Sequence, residues 1–313
     1  MPPATIHPDT REHGQGIRPD GYRLPAATRI GRVRLQVADL ARSLAYYERI
    51  LGMRVLNNAA TSATLGAHGD EAPLVELHER AGARSAPRRG QLGLYHFAVL
   101  LPDRAALGRF IAHLAEVGAH AGMSDHLVSE AVYLTDPDGL GIEVYADRPR
   151  SDWRYEGRQL VMATEPLDAH ALLRAARGES WTGMPAGTTI GHVHLHVGDI
   201  DAAAALYHGA LGFDKVVWSY PGALFLSAGG YHHHLGVNTW AGAGARGAGP
   251  DDARLLDWEL ILPDAGAAEA AARSVERAGY AVSPVAEEGG AWRTADPWGT
   301  AVRLTASPPG AAR

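Results

Sequence analysis

The chain has 313 residues, a hydrophobic share of 46%, a charged share of 20% and a formal net charge of −6. That size carries a full core and points to two domains or a pair of similar halves, while the acidic balance leaves no basic footprint for nucleic acid. With no cysteine, disulfides, thiolate metal sites and cysteine nucleophiles are excluded. No apolar run approaches a membrane span and the start lacks a signal-peptide pattern, which fits a cytoplasmic location.

In chain order, residues 1–29 read as an extension containing Pro and Gly, either an arm that wraps on a neighbour in a homo-oligomer or a partly disordered segment. A repeat organises the rest. LPAATRIGRVRLQVADLARSLAYYERILGMRV (24–55) and MPAGTTIGHVHLHVGDIDAAAALYHGALGFDKV (184–216) each give a period-2 run, an Asp, a helical stretch and a Leu-Gly close. Asp39 and Asp199 sit where a helix N-cap belongs, and Gly52 and Gly212 where a C′ glycine belongs. Weaker copies occupy 94–119 and 256–280, and EAVYLTDPDGLGIEVYAD (130–147) predicts two strands around a turn.

The chain is therefore read as four βαβββ modules. An N-terminal pair spans 30–148 (30–80 and 94–148), and a C-terminal pair spans 190–306 (190–240 and 256–306). Residues 149–189 are a linker with one helix near Asp168–Arg177, AGAGARGAGP (241–250) is a flexible loop that is a lid or a connector, and 307–313 are a tail.

Two rulers locate chemistry inside the modules. Seven residues before each helix-starting Asp stand Arg32, His96, His192 and Asp257. Seven residues after the Asp of each Asp-Pro turn stand Glu143 and Arg303. A lone strand histidine is more often structural than functional, but His96 and His192 share one repeat position among only 16 histidines in the chain.

With these modules and rulers, residues 30–306 resemble the vicinal oxygen chelate superfamily of glyoxalases, bleomycin- and fosfomycin-resistance proteins and extradiol dioxygenases. GIEVYADRPRSDW (141–153) and GYHHHLGVNTWAG (230–242) are particularly similar to its bacterial catechol-2,3-dioxygenase branch. The resemblance implies an α+β fold whose modules close in pairs into two incomplete β-barrels, with a divalent metal held by first strands and a last-strand glutamate. Here that set is His96, His192 and Glu143, from modules 2 and 3. Two imidazoles and a carboxylate make the facial triad of non-heme Fe(II) oxygenases, which also accepts Mn(II).

Common two-barrel dioxygenases place their site in modules 3 and 4. This order differs and implies that module 2 pairs with 3 and module 1 with 4. The second barrel would then bring Arg32, Asp257 and Arg303 together as a charge-compensated network in place of a ligand set, giving one metal per chain.

The resemblance also assigns neighbours to the metal. Tyr133, ten residues before Glu143, stands at the offset of a tyrosine that hydrogen-bonds a substrate oxygen, and His126 matches a histidine that flanks the substrate. HHLG (233–236) is similar to the His-x-x-Ala pattern carrying the acid/base histidine, which selects His233. The triplet reads as part of a β-strand, and if Leu235 and Val237 pack outward on the helices, alternation instead turns His232 and His234 inward with Gly236, so His234 stays open as the residue that faces the substrate. His194 and His196 share the face of His192 and line the pocket.

The implied function is an Fe(II)-dependent extradiol dioxygenase of aromatic catabolism, taking a small aromatic diol and O₂. A glyoxalase, isomerase or thiol transferase would ordinarily recruit a fourth protein ligand, and YHHHLGVN offers no Glu or Gln for it. A non-catalytic sequestering protein would not need the triad.

Overall fold

The computed structural model describes residues 15–286 and 289–307. The first 14 residues of the expected extension, and all of the expected tail but Ser307, lie outside the described residues.

Module 1 is β1 (Arg29–Val37), α1 (Leu40–Arg49), β2 (Arg54–Asn58), β3 (Ser62–Gly66) and β4 (Pro73–Glu79). Module 2 is β5 (Gln91–Leu100), α2 (Arg104–Glu116), β6 (Gly122–Asp125), β7 (Ser129–Thr135) and β8 (Gly141–Asp147). The linker carries a 3₁₀ turn, the short strands β9 (Tyr155–Glu156) and β10 (Gln159–Leu160), and α3 (Ala169–Ala175).

Module 3 is β11 (Thr189–His196), α4 (Ile200–Ala204) running on as a π-helix over Ala205–Ala210, β12 (Asp214–Val217), β13 (Ala223–Ser227) and β14 (Leu235–Asn238). After β15 (Arg246–Gly247), module 4 is β16 (Arg254–Leu262), α5 (Ala265–Arg277), β17 (Ser283–Pro284), β18 (Trp292–Ala295) and β19 (Ala301–Ala306).

One physical device starts every module helix. Asp39, Asp103, Asp199 and Asp264 have extended backbones, and each carboxylate accepts the backbone N–H three residues on. That satisfies a donor the helix cannot pair itself. Gly52 and Gly212 close the first and third helices at φ +72° and +95°, a conformation that costs glycine little.

The strands sort into two sheets whose order settles the pairing of the modules. An eight-stranded sheet runs β17-β18-β19-β16-β1-β4-β3-β2, joining modules 4 and 1, and a nine-stranded sheet contains β12-β13-β14-β11-β5-β8-β7-β6, joining modules 3 and 2. The helices cover one face of each sheet. Fully buried Val33, Leu35, Val193, Leu195, Phe97 and Val99 pack in one core beneath them, each such side chain contributing about 1.5–3 kcal/mol by leaving water. The alternate residues face the concave side, where the two rulers placed the polar groups.

In the module 1+4 barrel, that concave side holds ions. Asp257 accepts from Arg34 Nη1 at 3.1 Å and from Arg303 Nε at 2.9 Å, and Glu76 accepts from Arg34 Nε at 2.9 Å with Arg32 at 3.7 Å. Arg32, Asp257 and Arg303 thus share one network, joined by Arg34 and Glu76, which the rulers did not reach.

The glycine-rich run 241–250 is tied down in part. Arg246 and Gly247 pair in parallel with Gln91 and Leu92 of β5, so the run braces the nine-stranded sheet at that point.

Candidate metal centre

β5 and β11 pair antiparallel at the middle of the nine-stranded sheet, with β8 beside β5 and β14 beside β11. The β5–β11 register slips twice. Gly191 is the extra residue between Ile190 and His192, and Tyr95 is the extra residue between Leu94 and His96. Such bulges re-aim side chains. The first lets Tyr145 Oη occupy the space where a Cβ on residue 191 would stand. The second brings Tyr95 to the cavity beside His96.

His96, Glu143 and His192 meet on this concave face. Their ligand atoms all lie within 4.8 Å of one another, and all three residues are buried. Glu143 Oε2 is 3.0 Å from His96 Nε2 and 3.1 Å from His192 Nε2. Burial alone raises the Glu143 carboxyl, but His192 and His96 outweigh it and hold it well below the usual carboxylate range. Burial is also the main reason that His192 is pushed down to about 4. The pair therefore sits as an anion beside a neutral imidazole at neutral pH, the protonation states a divalent cation requires.

The residues fit such a cation. His96 Nε2 is a buried nitrogen that lies 3.0 Å from Glu143 Oε2 but has no well-aligned hydrogen bond among the described residues, an arrangement that is costly for a purely structural histidine and suited to a ligand. Two imidazoles and one carboxylate also match the donor set of non-heme iron sites.

A cavity of about 220 Å³ opens over His96, Glu143 and His192. Tyr95, Tyr220, Phe225 and Trp240 give it aromatic walls. Tyr133 and His126 stand on one side. His126 Nδ1–H donates to Ala163 O at 2.7 Å, so its Nε2 accepts, and Tyr133 Oη donates to it at 2.5 Å. Burial, then the charge of Glu143, raises the Tyr133 phenol well above its ordinary value, so it remains a donor.

Of the pocket histidines expected from the sequence, His233 and His194 line the cavity; His196 and His234 do not. His233 lies with its ring centroid 4.1 Å from that of His192. His194 Nε2 accepts from Asn238 Nδ2 at 3.0 Å, while Asn238 Oδ1 holds His196 Nδ1–H at 2.6 Å. His194 is thus a fixed wall and His196 its support. His234 turns away: its Nδ1 accepts the Ala228 N–H at 3.2 Å, and its ring packs by Phe213 and Tyr231.

The alternation that put His232 and His234 inward fails because β14 begins only at Leu235. The three histidines lie in the turn before it, after Gly229 and Gly230 at φ +61° and +68°, where period 2 has no force.

Sequence reasoning missed several lining residues. Tyr95 is visible only through the bulge. Met162, Ala163 and Thr164 come from the linker, which reaches the cavity because Asp125 and Glu165 exchange backbone hydrogen bonds at 2.9 Å. No periodicity marks such a segment.

The repeat also makes an absence informative. Glu76 of β4 pairs with Arg34 of β1, and the equivalent place in the module 2+3 barrel, opposite His194, holds Gly236. A Cβ there would stand 2.8 Å from His194 Cγ. The position that could carry a fourth carboxylate is filled by the neighbouring imidazole.

Comparison with known proteins agrees with this architecture. The Glyoxalase/Bleomycin resistance protein/Dioxygenase superfamily model matches residues 29–144 and 189–304. Catechol-2,3-dioxygenase of Bacillus subtilis (strain 168) is 45% identical over 274 residues, covering 86% of this chain and 94% of that protein. A solved dioxygenase-type structure from Bacillus subtilis subsp. subtilis str. 168 superposes with a TM-score of 0.63 at 16% identity, covering 92% of this chain and 87% of that one. Glyoxalase I from Zea mays gives a TM-score of 0.52 at 19% identity, with coverage of 89% and 92%. The two structures speak to the fold alone. Among the described residues, no helix is long and apolar enough to cross a membrane.

Proposed function

The chain belongs to the Glyoxalase/Bleomycin resistance protein/Dioxygenase superfamily, and from that membership and its cavity we propose that it is an extradiol dioxygenase that opens a catechol next to its two hydroxyls, using iron(II). The observation that carries this reading is the three-ligand cluster of His96, Glu143 and His192 beneath an aromatic cavity. Gly236 stands where a fourth carboxylate ligand would be needed for a glyoxalase-type site. The 45% identity to a catechol-2,3-dioxygenase supports it independently.

His96, His192 and Glu143 would hold the metal. Bound there, iron(II) would supply the coupling between an electron-rich diol and dioxygen that an organic side chain cannot provide. The same donors accept manganese(II).

The chain's own residues supply position and protons. Tyr95, Phe225 and Trp240 present apolar faces to a flat ring. The Met162–Thr164 segment covers it and limits water. Tyr133, held protonated with its one hydrogen on His126 Nε2, turns its phenol oxygen to a diol hydroxyl as an acceptor. His233, a neutral imidazole because burial and then its histidine neighbours hold its pKa well below the ordinary value, takes the proton of a diol hydroxyl. It returns that proton later in turnover, the usual double role of an acid/base histidine.

Purified protein loaded with iron(II) and given a panel of catechols under ¹⁸O₂ should yield a ring-opened hydroxymuconic semialdehyde-type product carrying both labelled oxygens. Absence of oxygen uptake with every catechol in the panel would reject the reading.

A further inference from the structure

His233 is not alone behind the cavity. Its Nδ1 lies 2.7 Å from His232 Nδ1, and His232 Nε2 lies 2.9 Å from Asp147 Oδ1. The same Asp147 oxygen accepts the Tyr231 hydroxyl at 3.1 Å, and Tyr231 Oη is 2.7 Å from Tyr145 Oη. His232 is completely buried, while the Asp147 side chain keeps 28% of its surface at the edge of the barrel.

The chemistry of these atoms fixes where the protons sit. A carboxylate only accepts, so His232 Nε2 must carry the hydrogen that bridges to Asp147. A neutral His232 then has its lone pair on Nδ1. Two facing Nδ1 atoms at 2.7 Å need one proton between them, and His233 must provide it. With its proton on Nδ1, His233 carries a lone pair on Nε2, and His233 lines the cavity.

We propose that His232, anchored by Asp147, is a positioning residue that holds His233 as its Nδ1–H tautomer and so presents a free Nε2 to the substrate. The logic is that of a carboxylate–histidine pair orienting a base, with an imidazole inserted between the carboxylate and the base. It explains why the turn before β14 carries histidines in succession: one contacts the cavity and one holds it in register. The proposal rests on His233 being the acid/base group and adds what makes it one.

The test is nitrogen NMR of metal-free protein carrying ¹⁵N-histidine, with His233 assigned through H233Q. The account expects His233 Nε2 at the shift of an unprotonated nitrogen, Nδ1 at that of a protonated one, and coupling across the Nδ1–H···Nδ1 bond. His233 protonated at Nε2, the state a doubly protonated His232 would impose, overturns it.

Two variants carry the argument to turnover. H232F removes the acceptor and should mix the His233 tautomers and lower kcat by about 10–10³-fold, with iron content and KM for catechol unchanged. H232N, whose side-chain carbonyl can stand in for Nδ1, should recover most of that loss. An H232F protein with unchanged tautomer and unchanged kcat also overturns the proposal. The spectra need no turnover, so a wild-type protein that shows the expected tautomer but cleaves no catechol would refute the dioxygenase reading and leave the pair standing.

Discussion

Acidification should separate the role of His234 from those of its two neighbours. Burial, with the nearby histidines, pushes His234 down to about 3, against about 6.5 in an unfolded chain. The native fold therefore binds the neutral ring, and its contribution is complete above the unfolded value and lost as pH falls from about 6.5 toward about 3. Between pH 7 and pH 5 a ring so shifted forfeits about 2 kcal/mol of stability. His192, held at about 4, adds a similar loss in metal-free protein.

The perturbation is H234N, which cannot titrate yet keeps an oxygen able to accept the Ala228 N–H. It should be less stable than wild type at pH 7 by about 1–3 kcal/mol, through lost ring packing. From pH 7 to pH 5 it should lose about 2 kcal/mol less than wild type does. Urea unfolding of both metal-free proteins at the two pH values measures this, provided the m-values match. Equal losses on acidification in wild type and variant would show that His234 is not buried as a neutral ring and would refute the reasoning.

Other substitutions address separate parts of the structure. Y133F, which removes the donor held by His126, should lower kcat by about 10–10²-fold while iron content stays at the wild-type level; steady-state kinetics beside metal analysis reads both. G236A places a methyl 2.8 Å from His194 Cγ and should cost about 1–3 kcal/mol by overpacking and raise KM through the displaced wall; an unchanged melting temperature and KM would contradict the close approach. D257A leaves the buried Arg34 and the partly buried Arg303 short of one shared carboxylate and should cost about 3–5 kcal/mol, with iron content unaffected because the network lies in the other barrel.

The sequence made the frame readable because the same local physics recurs four times. An N-cap aspartate after a period-2 run fixes where each strand ends and each helix begins; one ruler counts from that residue and the other from the Asp of the Asp-Pro turn. His96, His192 and Glu143 were reachable for that reason: each has a place relative to a turn or cap that the fold cannot shift. The pairing of modules 2 with 3 and 1 with 4 was legible from the same positions, because ligand-type residues fell in one pair and ion-pair residues in the other.

What the sequence hid depends on irregular backbone. Tyr95 shares the cavity with His96 because one extra residue enters β5, and a bulge leaves no trace in alternation. The His232–His234 triplet resembled strand, but the strand starts at Leu235, so each ring points where its own hydrogen bond takes it. His232 goes to Asp147, His233 to the cavity and His234 to the Ala228 amide. Met162, Ala163 and Thr164 reach the cavity through a pairing more than thirty positions away in sequence, between Asp125 and Glu165, a long-range event that no local pattern encodes.

The central claim is that His96, Glu143 and His192 hold one catalytic metal per chain, and anaerobic titration of metal-free protein with iron(II) tests it most directly. The account predicts saturation at one iron per chain in wild type, and loss of that binding in H96A with the fold intact by circular dichroism. Undiminished iron binding in H96A, or a wild-type protein that binds none, would contradict it.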